Sequence, residues 1–319
     1  MGEKATLALA IPAYNAAAFL PRLLQSAHNQ TQPFDEIWVY DDCSTDATHA
    51  TALALGARVL RGSVNVGCTA GKRRLIDVVT SEWVHFHDAD DELLPTFVEN
   101  IHGLILSHDV DAIIVGSEER SEFDGRHCVV STPNPQALAD DSLLYSIRNK
   151  VNAICGVYKR TFLIDHDILN VHPSMLYNED QAIQLNLVIS DARFASTPEV
   201  LVRSYQQKNS MSQSNQLNCI ISHFRLMQSA LDYSRRSGDK EEVRRAISER
   251  LWGVAAIAPR FGDFRSAIEA ARLARTLGPV PTTAGGSVFR LLGSISPELA
   301  IRVREHAIRF LKPHIFHHS

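Results

Sequence analysis

Through the first half of the chain, short apolar runs alternate with stretches whose apolar residues recur at helical spacing. Leu7 to Ile11 reads as a first strand, and Pro12 to Asn15 leads from it into a helix near Ala18 to His28 with Phe19, Leu23, Leu24 and Ala27 along one face. Glu36 to Tyr40 is a second strand, ending at Asp41-Asp42. Ala57 to Leu60 is a third, followed by a loop from Gly62 to Gly67 and a helix to about Val79. Trp83 to Phe86 and Ala112 to Val115 make a fourth and a fifth. The alternation predicts β-α-β units: a Rossmann-like α/β fold with a mostly parallel sheet flanked by helices.

The pattern loosens after Gly116, with a hairpin turn expected at Phe123 to Arg126 and a Pro-rich loop at Ser131 to Pro135. Ile154 to Tyr158 and Val200 to Tyr205 read as further strands. Between them, Glu179-Asp180 opens a strongly helical stretch, where the helix dipole favours carboxylates. From about Gln216 helical spacing takes over, except around Gly278 to Gly286. Phe261 to Ala274 has the small-residue rhythm of a paired-helix unit. The expected division is a sheet domain over 1–215 and a C-terminal α-helical region over 216–319.

Parallel strands point the same way, so their carboxyl ends line one edge, and ligands of open α/β sheets sit outside it. Polar clusters follow each of the first four runs: Tyr14 and Asn15, Asp41 and Asp42, Asn65 and Gly67, then Asp88 to Asp91. The last packs three carboxylates after a buried-strand pattern. Carboxylates two residues apart on an extended loop can converge on one divalent cation, and hard oxygen ligands suit Mg²⁺ or Mn²⁺ shared with substrate phosphates. The alternative is an acidic turn capping a helix that begins near Pro95, with Asp91 the residue best suited to that cap.

Composition narrows the classes. With 319 residues, 45% of them apolar, there is ample core, and a net charge of −4 from 32 basic and 36 acidic residues gives no reason to expect nucleic acid as a partner. Five scattered cysteines without CxxC spacing suggest neither a disulfide framework nor a zinc site, so a reducing cytoplasm is expected. The first six residues fit the permissive myristoylation pattern, and Leu7 to Ile11 could pass for a short signal core, but Pro12-Ala13-Tyr14-Asn15 interrupts it. No run reaches the apolar length of a membrane span. The C-terminal helices are expected to cover the sheet or form a homodimer surface, and Ile301 to Leu311, basic with an apolar face, suits peripheral contact with the inner membrane face.

Several chemistries are excluded by motif. Gly67 to Arg73 lacks P-loop spacing and a Ser or Thr after Lys72, and no GxGxxG follows the first strand. An aspartyl-nucleophile phosphatase would carry its acidic pair on the first strand rather than after the fourth. GxSxG and HExxH are absent, and the 14 histidines are dispersed.

The ordered set of motifs resembles the family 2 glycosyltransferases, which have the GT-A fold and use nucleotide-sugar donors. Ile11-Pro12-Ala13-Tyr14-Asn15 is similar to the family's opening strand and turn, and Asp41-Asp42-Cys43-Ser44-Thr45-Asp46 to its Asp-Asp-Gly-Ser-Thr-Asp. Asn65-Val66-Gly67 is similar to its Asn-x-Gly, Asp88-Ala89-Asp90-Asp91 to its DxD segment, and Glu179-Asp180 to its later Glu-Asp. The resemblance, which runs from about Leu7 to Ser212, implies that Pro12, Tyr14 and Asp42 surround the donor base, with Asp42 accepting a hydrogen bond from it. It implies further donor contacts from Asn15, Asn65 and Asp88, metal binding by Asp90 with Asp88, and Asp180 as catalytic base. Lys72 stands where the family often has Arg near the donor; Lys72 and Arg73 otherwise read as a solvated helix face.

Departures are informative. Cys43 replaces the usual Gly, so this turn either avoids a left-handed backbone or tolerates strain. Arg73 and Leu75 stand where the family commonly has Asn and Gly. The late motif and membrane spans of processive polysaccharide synthases are absent, which points to transfer of a single sugar, and Ser210-Met211-Ser212 is similar to the tail of non-processive members. The resemblance implies an inverting transferase with a divalent metal, a nucleotide-sugar donor (UDP by default) and a saccharide, lipid-linked or other hydroxyl acceptor. A nucleotidyltransferase and a catalytically silent scaffold are the rivals; the former would carry a Gly-rich basic loop where Pro12 to Ala17 stands.

Overall fold

A computed structural model describes residues 5–121, 127–206 and 215–311 of the protein. The expected turn at Phe123 to Arg126 and the Ser210-Met211-Ser212 segment lie outside the described residues. The chain forms two compact units, one comprising Met1–Ser142, Val151–Val171 and Asn186–Ser210, the other Leu143–Lys150, His172–Leu185 and Met211–Ser319. Leu143–Lys150 and His172–Leu185 thus group with the C-terminal helices.

The elements begin β1 (Leu7–Ala13), α1 (Leu20–His28), β2 (Glu36–Asp41), α2 (Thr48–Ala54), β3 (Arg58–Arg61), α3 (Cys68–Val78) and β4 (Trp83–Phe86). They continue with β5 (Glu92–Leu93), α4 (Phe97–Ser107), β6 (Ala112–Ser121), β7 (His127–Ser131), α5 (Pro135–Asp140), α6 (Ser142–Arg148) and β8 (Gly156–Lys159). Then come α7 (Arg160–Asp165), α8 (Glu179–Ile189) and β9 (Phe194–Gln206). Among the described residues the nine strands join one sheet in the order β3-β2-β1-β4-β8-β6-β9-β5, with β7 beside β6.

The first four strands in that order are parallel, as the alternation predicts, and β8 then pairs antiparallel with both β4 and β6, so the sheet as a whole is mixed. β1 lies between β2 and β4, and Leu7 to Ile11 are fully buried, the mark of a strand covered on both faces. Leu20, Leu23, Leu24 and Ala27 form the buried stripe of α1, while Phe19 stands at its N-cap. β5 is short but decisive: the chain leaves β4 in the middle of the sheet and reappears paired antiparallel with β9, curling the sheet over the residues between.

The second unit holds the remaining helices: α9 (Gln216–Arg236), α10 (Glu241–Ile257), α11 (Phe264–Leu277), α12 (Ser287–Ile295) and α13 (Pro297–Leu311). The small-residue rhythm has a clear consequence: Ala267, Ala270, Ala271 and Ala274 line one face of α11 and are fully buried, so backbones approach closely and Ser248 of α10 donates to Ala274 O at 3.1 Å. Asp263 caps α11 by accepting from Ser266 N at 2.9 Å. Trp252, fully buried, meets Phe289 edge-on with ring centroids 5.8 Å apart. Among the described residues no helix is long and apolar enough to cross a membrane.

Candidate active site

The carboxyl ends of β1 and β2 lie side by side, with Pro12 opposite Tyr40 and Ala13 opposite Asp41. The two loops that follow are tied together. The Asn15 carboxamide oxygen accepts from Thr45 N at 2.9 Å, and Asn15 N donates to Ser44 Oγ at 2.9 Å. Asn15 and Cys43 both take left-handed backbones, with φ of 49° and 62°, so of the two readings of the missing glycine the turn tolerates strain rather than avoiding it. Asp41 is wholly buried beneath this turn, where Oδ1 accepts from Ser44 N at 2.9 Å and Oδ2 faces Arg61 Nε at 3.2 Å. Tyr14 is 52% exposed at the rim.

Asp42 is buried and reaches the loop after β3. Its Oδ1 accepts from Val66 N and its Oδ2 from Gly67 N, both at 2.8 Å, so this carboxylate holds the loop that carries exposed Asn65. Gly67 then starts α3. On that helix Lys72 is only 1% exposed, which rules out the solvated face for it, whereas exposed Arg73 donates to Asn170 Oδ1 at 3.2 Å. Gly71 sets how closely α3 approaches the strand ends, since a Cβ there would sit 2.9 Å from the Tyr40 ring and 3.3 Å from Pro12.

At the end of β4, Asp88 and Asp90 are half-buried and Asp91 is buried. Asp91 is not a helix cap. The element after it is β5, α4 begins only at Phe97 behind Thr96, and Asp91 Oδ1 instead accepts from Tyr205 N at 2.9 Å. Burial, followed by the charges of Asp88 and Asp90, pushes the Asp91 carboxyl well above its ordinary range. Beneath the segment, His85 Nδ1 lies 2.9 Å from Gly156 O, and His85 Nε2 lies 2.9 Å from His87 Nδ1. A carbonyl only accepts, so His85 donates from Nδ1 and receives from His87. Burial lowers His85 to about 4 and, with His85 beside it, lowers His87 as well, so the pair is neutral and offers the carboxylates no positive charge.

Among the described residues no group of three or more His, Cys, Asp or Glu has metal-binding geometry. A cation bound here would take Asp90 and Asp88 and draw its other ligands from diphosphate and water, the habit of Mg²⁺ and Mn²⁺ rather than of zinc. Asp88 and Asp90 crowd carboxylates into one short segment beside buried Asp91, which is the feature a cation would offset. The residues fit such an ion.

Asp180 belongs to the second unit, in the first turn of α8 and half-buried. Its neighbours anchor that turn: Asn178 Nδ2 donates to Cys219 O at 2.6 Å, and Gln181 Oε1 lies 3.3 Å from His223 Nδ1. Two residues bordering the acidic segment escaped the sequence reading, Arg22 on α1 and Tyr205 near the end of β9. Arg22 had a signal, since the polar positions 22 and 26 run at helical spacing off the apolar stripe of α1.

A parallel edge bearing acidic residues beyond β2 and β4, continued by a mixed second half and followed by helices, defines an α/β protein of the GT-A type. The fold is similar to that of Staphylococcus aureus TarS residues 1–349 in complex with UDP-GlcNAc, with a TM-score of 0.69 at 17% identity over 96% of this chain and 92% of that one. Residues 8–163 match the model of Glycosyl transferase family 2, so this segment is similar to that family. An uncharacterized glycosyltransferase of Escherichia coli K12, YibD, is 32% identical over 115 residues, 35% of this chain and 33% of that protein. Another, from Haemophilus influenzae, is 26% identical over 163 residues, 49% of this chain and 54% of that protein. The chain therefore matches a third to about half the length of these curated relatives.

Proposed function

We propose that the protein is an inverting, metal-dependent glycosyltransferase that moves one sugar from a nucleoside-diphosphate sugar, with UDP the favoured nucleotide, to a hydroxyl acceptor in cell-surface polysaccharide or glycoconjugate synthesis. The observation that carries this reading is the gathering of Pro12, Tyr14, Asn15, Asp42 and Asp88 to Asp90 at the carboxyl ends of adjacent parallel strands. The UDP-GlcNAc complex of the structurally similar TarS supports the choice of donor.

Pro12 and Tyr14 flank the base. Asp42 receives its N–H: an ionised carboxylate offers about four lone-pair sites, and the two backbone donors use only part of them. Asn15, Asn65 and Lys72 complete the donor contacts, Lys72 as a buried cation for phosphate. Asp88 serves the ribose and, with Asp90, would hold Mg²⁺ or Mn²⁺, which supplies compensation for the charge that builds on the departing diphosphate. Asp180 takes the proton of the acceptor hydroxyl, whose oxygen forms the new bond to the anomeric carbon as the nucleoside diphosphate leaves from the opposite face. Attack from that side inverts the anomeric configuration. We place the protein in the cytoplasm, touching the inner membrane face through its C-terminal helices.

Donor turnover by the purified protein with Mn²⁺ tests the assignment. Asp180→Asn is expected to abolish sugar release and keep nucleotide binding, and Asp90→Ala to weaken Mn²⁺-dependent UDP binding. Binding that is the same with and without EDTA would remove the metal from the scheme. Absence of turnover with every nucleotide sugar favours a silent scaffold, and release of pyrophosphate from a nucleoside triphosphate and a sugar phosphate favours a nucleotidyltransferase.

A further inference from the structure

The segment carrying Asp88 and Asp90 is stretched between two strands that are not neighbours, β4 and β5, and turns on itself through Asp91 N to Asp88 O at 3.2 Å. Helix α1 and the residue two beyond its end, Gln30, serve as its mould. Arg22 Nη2 donates to the main-chain oxygen of Asp90, Leu93 N donates to Ser26 Oγ at 3.1 Å, and Gln30 donates from Nε2 to Leu94 O at 2.9 Å. Gln30 Oε1 also accepts from Val98 N at 3.2 Å. Positions 22, 26 and 30, four apart, thus meet the chain step by step from Asp90 to Val98.

Arg22 is itself held. Its guanidinium lies 3.8 Å from the centroid of the Tyr205 ring, a stacking that leaves the N–H edge pointing outward to donate. Tyr205 is fixed in turn by its N–H to Asp91 Oδ1 at 2.9 Å and its hydroxyl to Glu92 Oε2 at 2.8 Å. Arg203 Nη1 shares the same Glu92 oxygen at 2.8 Å. Three consecutive acidic residues are therefore gripped at three different atoms: the Asp90 backbone by Arg22, and the Asp91 and Glu92 side chains by Tyr205.

We propose that Arg22, clamped on Tyr205, is a positioning residue for the carboxylates of Asp88 and Asp90. A bond to the main-chain oxygen of Asp90 consumes none of the side-chain oxygens. It fixes the backbone turn from which both carboxylates project. The inference rests on the donor-site reading above, because it gives those carboxylates a ligand to be aimed at.

Electron paramagnetic resonance titration of Mn²⁺, with and without UDP, separates the possibilities in wild type, R22A, R22K, Y205A, the R22A/Y205A double variant and D90A. Loss of an outer partner that orients metal ligands typically weakens metal affinity by about tenfold or more, and that is expected for R22A. R22K should recover part of the loss, and the double variant should lose less than the sum of the two single losses, since the ring of Tyr205 acts through Arg22 while its hydroxyl holds Glu92 directly. Folded R22A with wild-type Mn²⁺ and UDP affinity overturns the inference, as does a loss that Lys does not recover and that follows Tm alone. A loss in D90A with none in R22A sinks Arg22 and spares the site. Absence of UDP-linked Mn²⁺ binding in wild type removes the site and this inference together.

Discussion

Gly67 has φ 85° and ψ 167°, a region of backbone space that essentially only glycine enters. It also presents the N–H that Asp42 accepts. Gly67→Ala meets no steric neighbour within 4 Å, so its cost is one of backbone conformation. It is expected to be about 1–3 kcal/mol, read as a lower denaturation midpoint; an unshifted midpoint would show that the turn relaxes freely. At this scale the sequence showed where polar residues follow the strands, and the structure adds that Asp42 holds the loop of Asn65-x-Gly67. Environment was not legible. Lys72 and Arg73 are adjacent letters with opposite fates, one buried and one exposed, because only the packing of α3 on the strand ends separates them. Asp91 looked like a cap because the two-residue strand β5 carries no periodicity from which to read it.

Among elements, the start of β2 carries a buried carboxylate with a pH signature. Glu36 accepts from Thr80 N at 2.8 Å, Ser81 N at 2.6 Å, Ser81 Oγ at 2.7 Å and Trp38 Nε1 at 2.9 Å, closing the loop between α3 and β4 onto the sheet. Burial alone would raise its pKa, but these hydrogen bonds outweigh burial and bring it down from 4.5 to about 2. A depressed carboxylate contributes stability that is fully present above the unfolded value and is lost as pH falls through the folded one. Wild type should therefore lose stability between pH 4.5 and about 2 through this group, and Glu36→Gln should flatten that part of the acid-unfolding profile; an unchanged slope would rule Glu36 out as its source. Elements with clean periodicity were legible to within two residues, β1 and β4 among them. β9 was not: it spans Phe194–Gln206, but Pro198 and its polar neighbours hide the first half, where the β6 pairing slips between Ile114 and Gly116.

For the whole molecule, the C-terminal helices present a surface that the fold leaves uncovered. Val288, Leu291 and Ile295 recur along one face of α12 at 70%, 65% and 69% exposure, and Phe310 and Leu311 end α13 at 86% and 72%. The membrane contact proposed above is expected to use this surface, with Arg290 on α12 facing an anionic lipid. The protein is expected to sediment with vesicles containing phosphatidylglycerol, less so at high salt, and to be released by Leu291→Asp combined with Ile295→Asp. Failure to sediment, with concentration-dependent dimers by light scattering, would assign the surface to a second copy instead. By itself the sequence determined the alternation of strands and helices, the edge where polar residues gather and the family pattern of its acids, because each of these is written in short-range periodicity or local spacing. Only the tertiary structure decided which of those residues are gripped and by what. Arg22 meets Asp90 across 68 positions, and Tyr205 meets Asp91 across 114. No local pattern encodes partners that distant; the pairing of β5 with β9 and the packing of α1 bring them together.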